Sequence, residues 1–140
     1  MRWLTRHAKV LLAGYTVFLC LALLSPSSNL QSDSVALVGR VLDHLGVPYA
    51  LVAQPRLEFI MNAVIIAPVP FLGSIIFAQY TWRDWTAFGF AGAFAVEAVQ
   101  GVLLQGRNAS FTDVVANTLG ALIGAGLAEL SRRSRRARVS

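Results

Sequence analysis

Apolar residues run almost unbroken through four stretches of this chain: Ala8 to Ser25, Leu57 to Ala78, Thr86 to Gln105 and Ser110 to Leu130. Each is close to the ~20 residues a helix needs to cross a bilayer. The first stops at Ser25-Pro26-Ser27-Ser28, where proline and small polar residues end a helix. The later stretches are separated only by Tyr80-Thr-Trp-Arg-Asp-Trp85 and by Gly106-Arg107-Asn108-Ala109. Connections this short make consecutive helices antiparallel neighbours. The one sizeable loop spans residues 26–56. Within it Val35, Leu37, Val38, Val41, Leu42 and Leu45 recur at helical spacing, interspersed with Asp33, Arg40, Asp43 and His44. That pattern predicts a short amphipathic helix over 34–45, capped by Ser32 or Asp33 and ended by Gly46-Val-Pro48. The expected fold is all-α: a single integral membrane domain over residues 1–140, built as a four-helix bundle.

Composition agrees with the pattern. Hydrophobic residues make up 56% of the chain and charged residues 14%, against roughly 25% charged in a soluble domain. Too few charges are present to coat a water-soluble globule, so most soluble enzyme folds are excluded. The net charge of +5 raises the question of nucleic acid, and the placement of the bases answers it. Arg2, Arg6 and Lys9 precede the first span, Arg83 lies between the second and third, and Arg132, Arg133, Arg135, Arg136 and Arg138 follow the fourth. Only Arg40, Arg56 and Arg107 fall on the other side. The positive-inside rule then puts both termini and the basic tail 131–140 in the cytoplasm, with loop 26–56 extracytoplasmic. The arginine cluster is a topology anchor and anionic-lipid contact, and no nucleic-acid partner is expected. Trp82 and Trp85 beside Arg83 fit an interfacial aromatic belt. The first span could also serve as a signal peptide, with Val10 to Leu24 as its apolar core, but no A-x-A cleavage pattern follows. Cys20 sits alone in an apolar run, and it makes no credible zinc site with His7 and His44. No metal or cofactor is expected.

Polar groups inside a bilayer are expensive, and they persist where they pair, face a bundle interior or serve a function. Five stand out: Asn62, Glu97, Gln100, Asp113 and Asn117. On the fourth span Asp113, Asn117, Gly120 and Gly124 fall within one narrow stripe at ~100° per residue, and Gly120-x-x-x-Gly124 allows close approach of another helix. On the third, Glu97 and Gln100 are three residues apart and share a face. Asn62 shares a face of the second span with Ile66, Val69 and Gly73. Counted back from Arg107, Glu97 lies ~15 Å inward, near the midplane. The group would then line a polar funnel that opens outward, with Arg107 at its mouth. Each residue also has a purely structural reading. Asp113 follows Ser110 by three and would stabilise a helix N-terminus. Asn62 and Asn117 would serve as interhelical hydrogen-bond glue, and Arg107 would anchor a loop. Glu97 is the hardest to explain by structure alone. Pro68 and Pro70 remove backbone donors and predict a kink or break in the second span.

At these residues the sequence resembles the VanZ-like family of small membrane proteins. Asn62-Ala-Val-Ile-Ile-Ala-Pro68 matches the family's Asn and Pro six apart in an apolar helix. Glu97-Ala-Val-Gln100 matches its Glu-x-x-Gln. Arg107 followed by Asp113-Val-Val-Ala-Asn117-Thr118-Leu-Gly120 matches its Arg, then Asp-x-x-x-Asn-Thr-x-Gly. The likeness covers about residues 56–129. The chain departs from it at Ile66 and Pro70, where the family often has Phe and Gly. The resemblance implies a multi-pass protein of the bacterial cytoplasmic membrane, associated in some members with reduced susceptibility to lipoglycopeptides such as teicoplanin.

No Ser-His-Asp set, P-loop or HExxH motif supplies an independent mechanism. The leading expectation is that Asn62, Glu97, Gln100, Arg107, Asp113 and Asn117 bind or modify an outer-leaflet lipid or lipid-linked cell-envelope precursor headgroup. Were the protein an enzyme, Glu97 and Asp113 would be its acid and base. Two alternatives belong to other classes. One is a proton-coupled transporter using Glu97. The other is a structural partner that assembles, as a homo-oligomer or with another protein, through Gly120 and Gly124.

Overall fold

A computed structural model describes residues 2–23, 29–103 and 110–138. Among them the chain is helical throughout, with no strand. The elements in order are α1 (Arg2–Leu23), α2 (Asn29–His44), α3 (Tyr49–Val52), α4 (Gln54–Ile66), α5 (Pro68–Ile76), α6 (Trp82–Leu103) and α7 (Phe111–Ala137).

The amphipathic loop helix forms as α2, but it begins at Asn29. Ser32 and Asp33 therefore lie inside its first turns instead of capping it. Its end is as the sequence predicts: Gly46 takes a left-handed φ of 78°, which glycine adopts without steric cost. Val35 on α2 packs with Val52 and Leu57 into a small apolar cluster, joined by Val38, Leu42 and Met61. That cluster ties the loop helix down onto the start of α4.

The two prolines interrupt the second apolar span less than expected. Only Ala67 separates α4 from α5, and it keeps helical dihedrals of φ −52° and ψ −36°. The Ala67 N–H still donates to the Ala63 carbonyl at 3.2 Å, and the Phe71 N–H to the Ala67 carbonyl at 3.2 Å. Pro68 falls at the first position of α5, where a missing N–H costs least. A third hydrogen bond at this point comes from outside the helix: the Tyr15 hydroxyl of α1 donates to the Ile65 carbonyl at 2.6 Å. The result is a single rod, Gln54–Ile76, long and apolar enough to cross a membrane. Among the described residues Phe111–Ala137 is the other helix that meets this test, while the apolar part of α1, His7–Ala22, is shorter.

α7 is the centre of the packing. It contacts α4, α5 and α6, while α1 leans on α5. The buried face of α7 is made of small residues: Ala116, Gly120, Ala121, Gly124, Ala125 and Ala128. Gly120 lies against the Ala63 backbone and Gly124 against the Ala67 backbone, so close that a Cβ at either would strike a carbonyl oxygen. Gly89 of α6 lies against the Ala121 methyl of α7, which a Cβ there would strike. The glycine stripe foreseen for assembly is thus occupied within the chain, by the α4–α5 rod. With little apolar attraction between helices in lipid, close van der Waals packing of this kind is what holds helices together.

The end of the molecule near the α5–α6 turn is aromatic. Phe77, Tyr80, Trp85 and Phe88 meet ring to ring, three of the pairs edge-on at 5.4–6.1 Å, a favoured geometry for aromatic quadrupoles. Trp85 is more than a surface belt residue, because its ring covers Gly73. Trp82 stays exposed with the Arg83 guanidinium 5.3 Å over its ring.

Candidate functional site

The α6–α7 hairpin brings two of the expected residues together at the start of α7. Ser110 caps α7 with extended backbone, and its hydroxyl accepts the Asp113 N–H at 3.4 Å. The Ser110 N–H itself donates to Glu97 Oε2 at 2.7 Å. Glu97 therefore reaches the cap of α7 and faces the N-terminal turn of its neighbour. The ~15 Å depth counted back from Arg107 is measured through residues that lie outside the described ones. A carboxylate is favoured there by the uncompensated N–H groups and the positive end of the helix dipole.

Asp113 does two things at once. Its backbone N–H closes the Ser110 cap, and its side chain crosses to α4, where Asn62 Nδ2 donates to Asp113 Oδ1 at 2.8 Å. Two neighbouring contacts thus join three helices: Asn62 on α4, Glu97 on α6, and Ser110 with Asp113 on α7. Glu97 at 7% and Gln100 at 5% exposure are buried, although the helices around them are apolar. Asn117, one turn inward of Asp113 on the same face of α7, is also buried. Arg107, expected at the mouth of the cluster, lies outside the described residues. Of the six residues singled out from sequence, five are described and all five gather at one end of the α4–α6–α7 packing. Among the described residues no group of three or more His, Cys, Asp or Glu is placed to hold a metal.

The sequence matches the VanZ/LLP1 family over residues 10–132. The chain belongs to that family. No curated protein and no solved structure matches it. The match extends well beyond the motif region around residues 56–129, through α1 and the loop helix. In this VanZ/LLP1 chain the Asn, Glu-x-x-Gln and Asp-x-x-x-Asn motifs are three sides of one polar cluster rather than separate features.

Sequence reasoning missed two contributors. Ser110 was read only as a cap, but its N–H is also the anchor of Glu97. A buried carboxylate upstream of a Ser-x-x-Asp helix start was the available signal. Arg132 was counted only among the topology anchors. It donates to the Ser74 carbonyl at 3.3 Å and lies 3.3 Å from Glu129, tying the far end of α7 to α5. Among the described residues the fully buried hydroxyl of Ser74 and the indole N–H of Trp85 find no partner. Nothing in the local sequence around Ser74 distinguishes it.

Proposed function

We propose that this VanZ/LLP1 protein is a four-span helical bundle of the bacterial cytoplasmic membrane, both termini inside, that binds the polar headgroup of an outer-leaflet lipid or lipid-linked cell-envelope precursor. The four spans are α1, the α4–α5 rod, α6 and α7, with α2 on the outer surface. The observation that carries the reading is the pair of contacts Asn62–Asp113 and Glu97–Ser110, which places carboxylates and amides together at one end of an otherwise apolar packing. The cost of burying such groups supports a function for them. Asp113, Asn62, Gln100 and Asn117 offer hydrogen bonds to sugar or phosphate-ester groups, and Arg107 would meet an anionic group. In this reading the family's association with lipoglycopeptide susceptibility follows from occupancy or alteration of an envelope precursor. If the site is catalytic, Glu97 and Asp113 are its acid and base.

The test uses Glu97→Gln, which keeps an oxygen able to accept the Ser110 N–H but removes the charge. Teicoplanin susceptibility of expressing cells, and lipid mass spectrometry of what co-purifies, are measured together with the amount of protein in the membrane. The expected outcome is loss of the phenotype and of the co-purifying lipid at unchanged membrane abundance. Retention of both refutes the site. Flux into proteoliposomes that depends on Glu97 would favour the transporter reading instead.

A further inference from the structure

A crevice of about 250 Å³ runs beside the polar cluster, walled by α1 and α6 and floored by the α4–α5 rod and α7. Thr16 and Cys20 lie on one wall, Phe88 and Gly92 on the other, and Ile66 and Asn117 on the floor. α1 packs on α5, and no comparable contact joins α1 to α6 among the described residues, so the crevice opens sideways between these two helices. Gly92 keeps it open, since a Cβ there would meet nothing within 4 Å. Along α6 the lining extends from Trp85 to Val96, which is ~16 Å at 1.5 Å per residue. That is about half of a ~30 Å hydrocarbon core, the depth of one leaflet.

One lining residue does not fit an ordinary greasy slot. Asn117 is only 6% exposed, lines the crevice, and makes no hydrogen bond among the described residues. An amide buried without a partner is costly, and methylenes cannot repay that cost. It lies one turn, ~6 Å, inward of Asp113. Moving inward from the cluster, the surface therefore changes from charged and amide groups to the Asn117 amide and then to a mostly hydrocarbon lining that ends at the Trp85 indole. An ester-linked lipid presents this sequence of chemistries in the same order: headgroup, carbonyl, chain.

We infer that the crevice seats one acyl chain of an ester-linked phospholipid, whose ester carbonyl accepts the Asn117 side-chain N–H while its headgroup lies at the Asn62–Asp113–Glu97 cluster. The inference rests on the headgroup reading above and narrows it to an acyl ester over a prenyl-linked precursor. The phosphate linkage of a prenyl precursor supplies no carbonyl at the depth of Asn117.

The test is photolabelling of the full chain in phosphatidylglycerol vesicles doped with a phospholipid carrying a diazirine in its acyl chain, with adducts mapped by peptide mass spectrometry. Adducts are expected on α1 and α6 around Cys20 and Gly92. They should fall at least fivefold in Gly92→Leu and in Cys20→Trp, which fill the crevice from opposite walls, so that one variant serves if the other fails to fold. Adducts at Ile123, in a separate apolar groove between α7 and the α4–α5 rod, should not change. Asn117→Leu makes the crevice more apolar, so a mere hydrocarbon slot would label as well or better, whereas a carbonyl contact predicts a several-fold fall. Undiminished crevice labelling in Asn117→Leu, labelling spread evenly over crevice and outer groove, or preferential labelling by a prenyl phosphate probe would each overturn the inference. Glu97→Gln separates the two claims: joint loss of the co-purifying lipid and of the crevice adducts supports both, whereas loss of the co-purifying lipid with crevice adducts unchanged overturns the acyl-chain inference and leaves the headgroup reading standing.

Discussion

Asn62 of α4 donates to the carboxylate of Asp113 on α7 at 2.8 Å, across 51 residues of sequence. The bond links the rod that carries the two prolines to the first turn of the most buried helix. Removing the donor leaves a partly buried carboxyl short of a partner, which costs about 1–3 kcal/mol. Asn62→Ala should therefore lower the thermal midpoint in detergent. Because the two groups satisfy each other, Asn62→Ala combined with Asp113→Ala should cost less than the sum of the single changes. Additive losses in the double-mutant cycle would show that the contact carries no coupling.

Gly120 and Gly124 sit against the backbone at Ala63 and Ala67. Backbone cannot move aside as a side chain can, so Gly120→Ala or Gly124→Ala should destabilise at or beyond the upper end of the ~1–3 kcal/mol typical of overpacking. Gly126, on the same helix, has open space where its Cβ would be. There Gly126→Ala should be neutral or stabilising by up to ~1 kcal/mol, from helix propensity alone. Folded yield and thermal midpoint of the three variants decide the matter. Equal behaviour would mean that α7 does not pack on the α4–α5 rod as described.

The Tyr15 hydroxyl bonds the Ile65 carbonyl at 2.6 Å, beside the proline interruption. Tyr15→Phe removes the donor and nothing else, so a loss of about 1 kcal/mol is expected. Amide exchange should rise locally around residues 65–71. Wild-type protection there would show that the carbonyl is satisfied without α1.

In the first turn of α6, ahead of the apolar stretch that begins at Thr86, Asp84 accepts the Thr81 backbone N–H at 2.7 Å and the Thr81 hydroxyl at 2.8 Å. The backbone bond first and the hydroxyl bond second hold its carboxyl below the usual carboxylate range. A folded-state pKa lower than the unfolded one contributes stability above the unfolded pKa, and this is lost as pH falls through the folded value. Stability should therefore decline on acidification below the ordinary Asp range. Asp84→Asn should flatten that part of the profile, and Thr81→Ala should shift it upward. A pH profile unchanged in Asp84→Asn would remove this carboxylate from the acid response.

Much of the element order could be read from the chain because it depends on local physics. Apolar length marks the α4–α5 rod and α7, and helical periodicity marks α2, with Gly46 as its stop. Helix and membrane patterns are properties of neighbouring residues, so one sequence suffices to see them. The five described site residues were also legible, since a polar group in an apolar span stands out wherever it folds. The family motifs placed them on three helices, and all three helices supply the observed cluster.

What pairs with what was settled only in three dimensions. The sequence could not say that Glu97 would reach Ser110, because that depends on how α6 and α7 pack against each other. Nor could it say that Gly120 and Gly124 would be consumed inside the chain, because a small-residue stripe fits a neighbour in the same molecule or in another equally well. The prolines of the second span show the same limit. Locally each predicts a break, yet the rod continues through Ala67 with the Tyr15 hydroxyl bonded to the Ile65 carbonyl at that point. Sequence determined which groups are costly to bury. Tertiary structure decided which partners offset that cost, because hydrogen bonds and close packing act over a few ångströms between residues that the chain holds far apart.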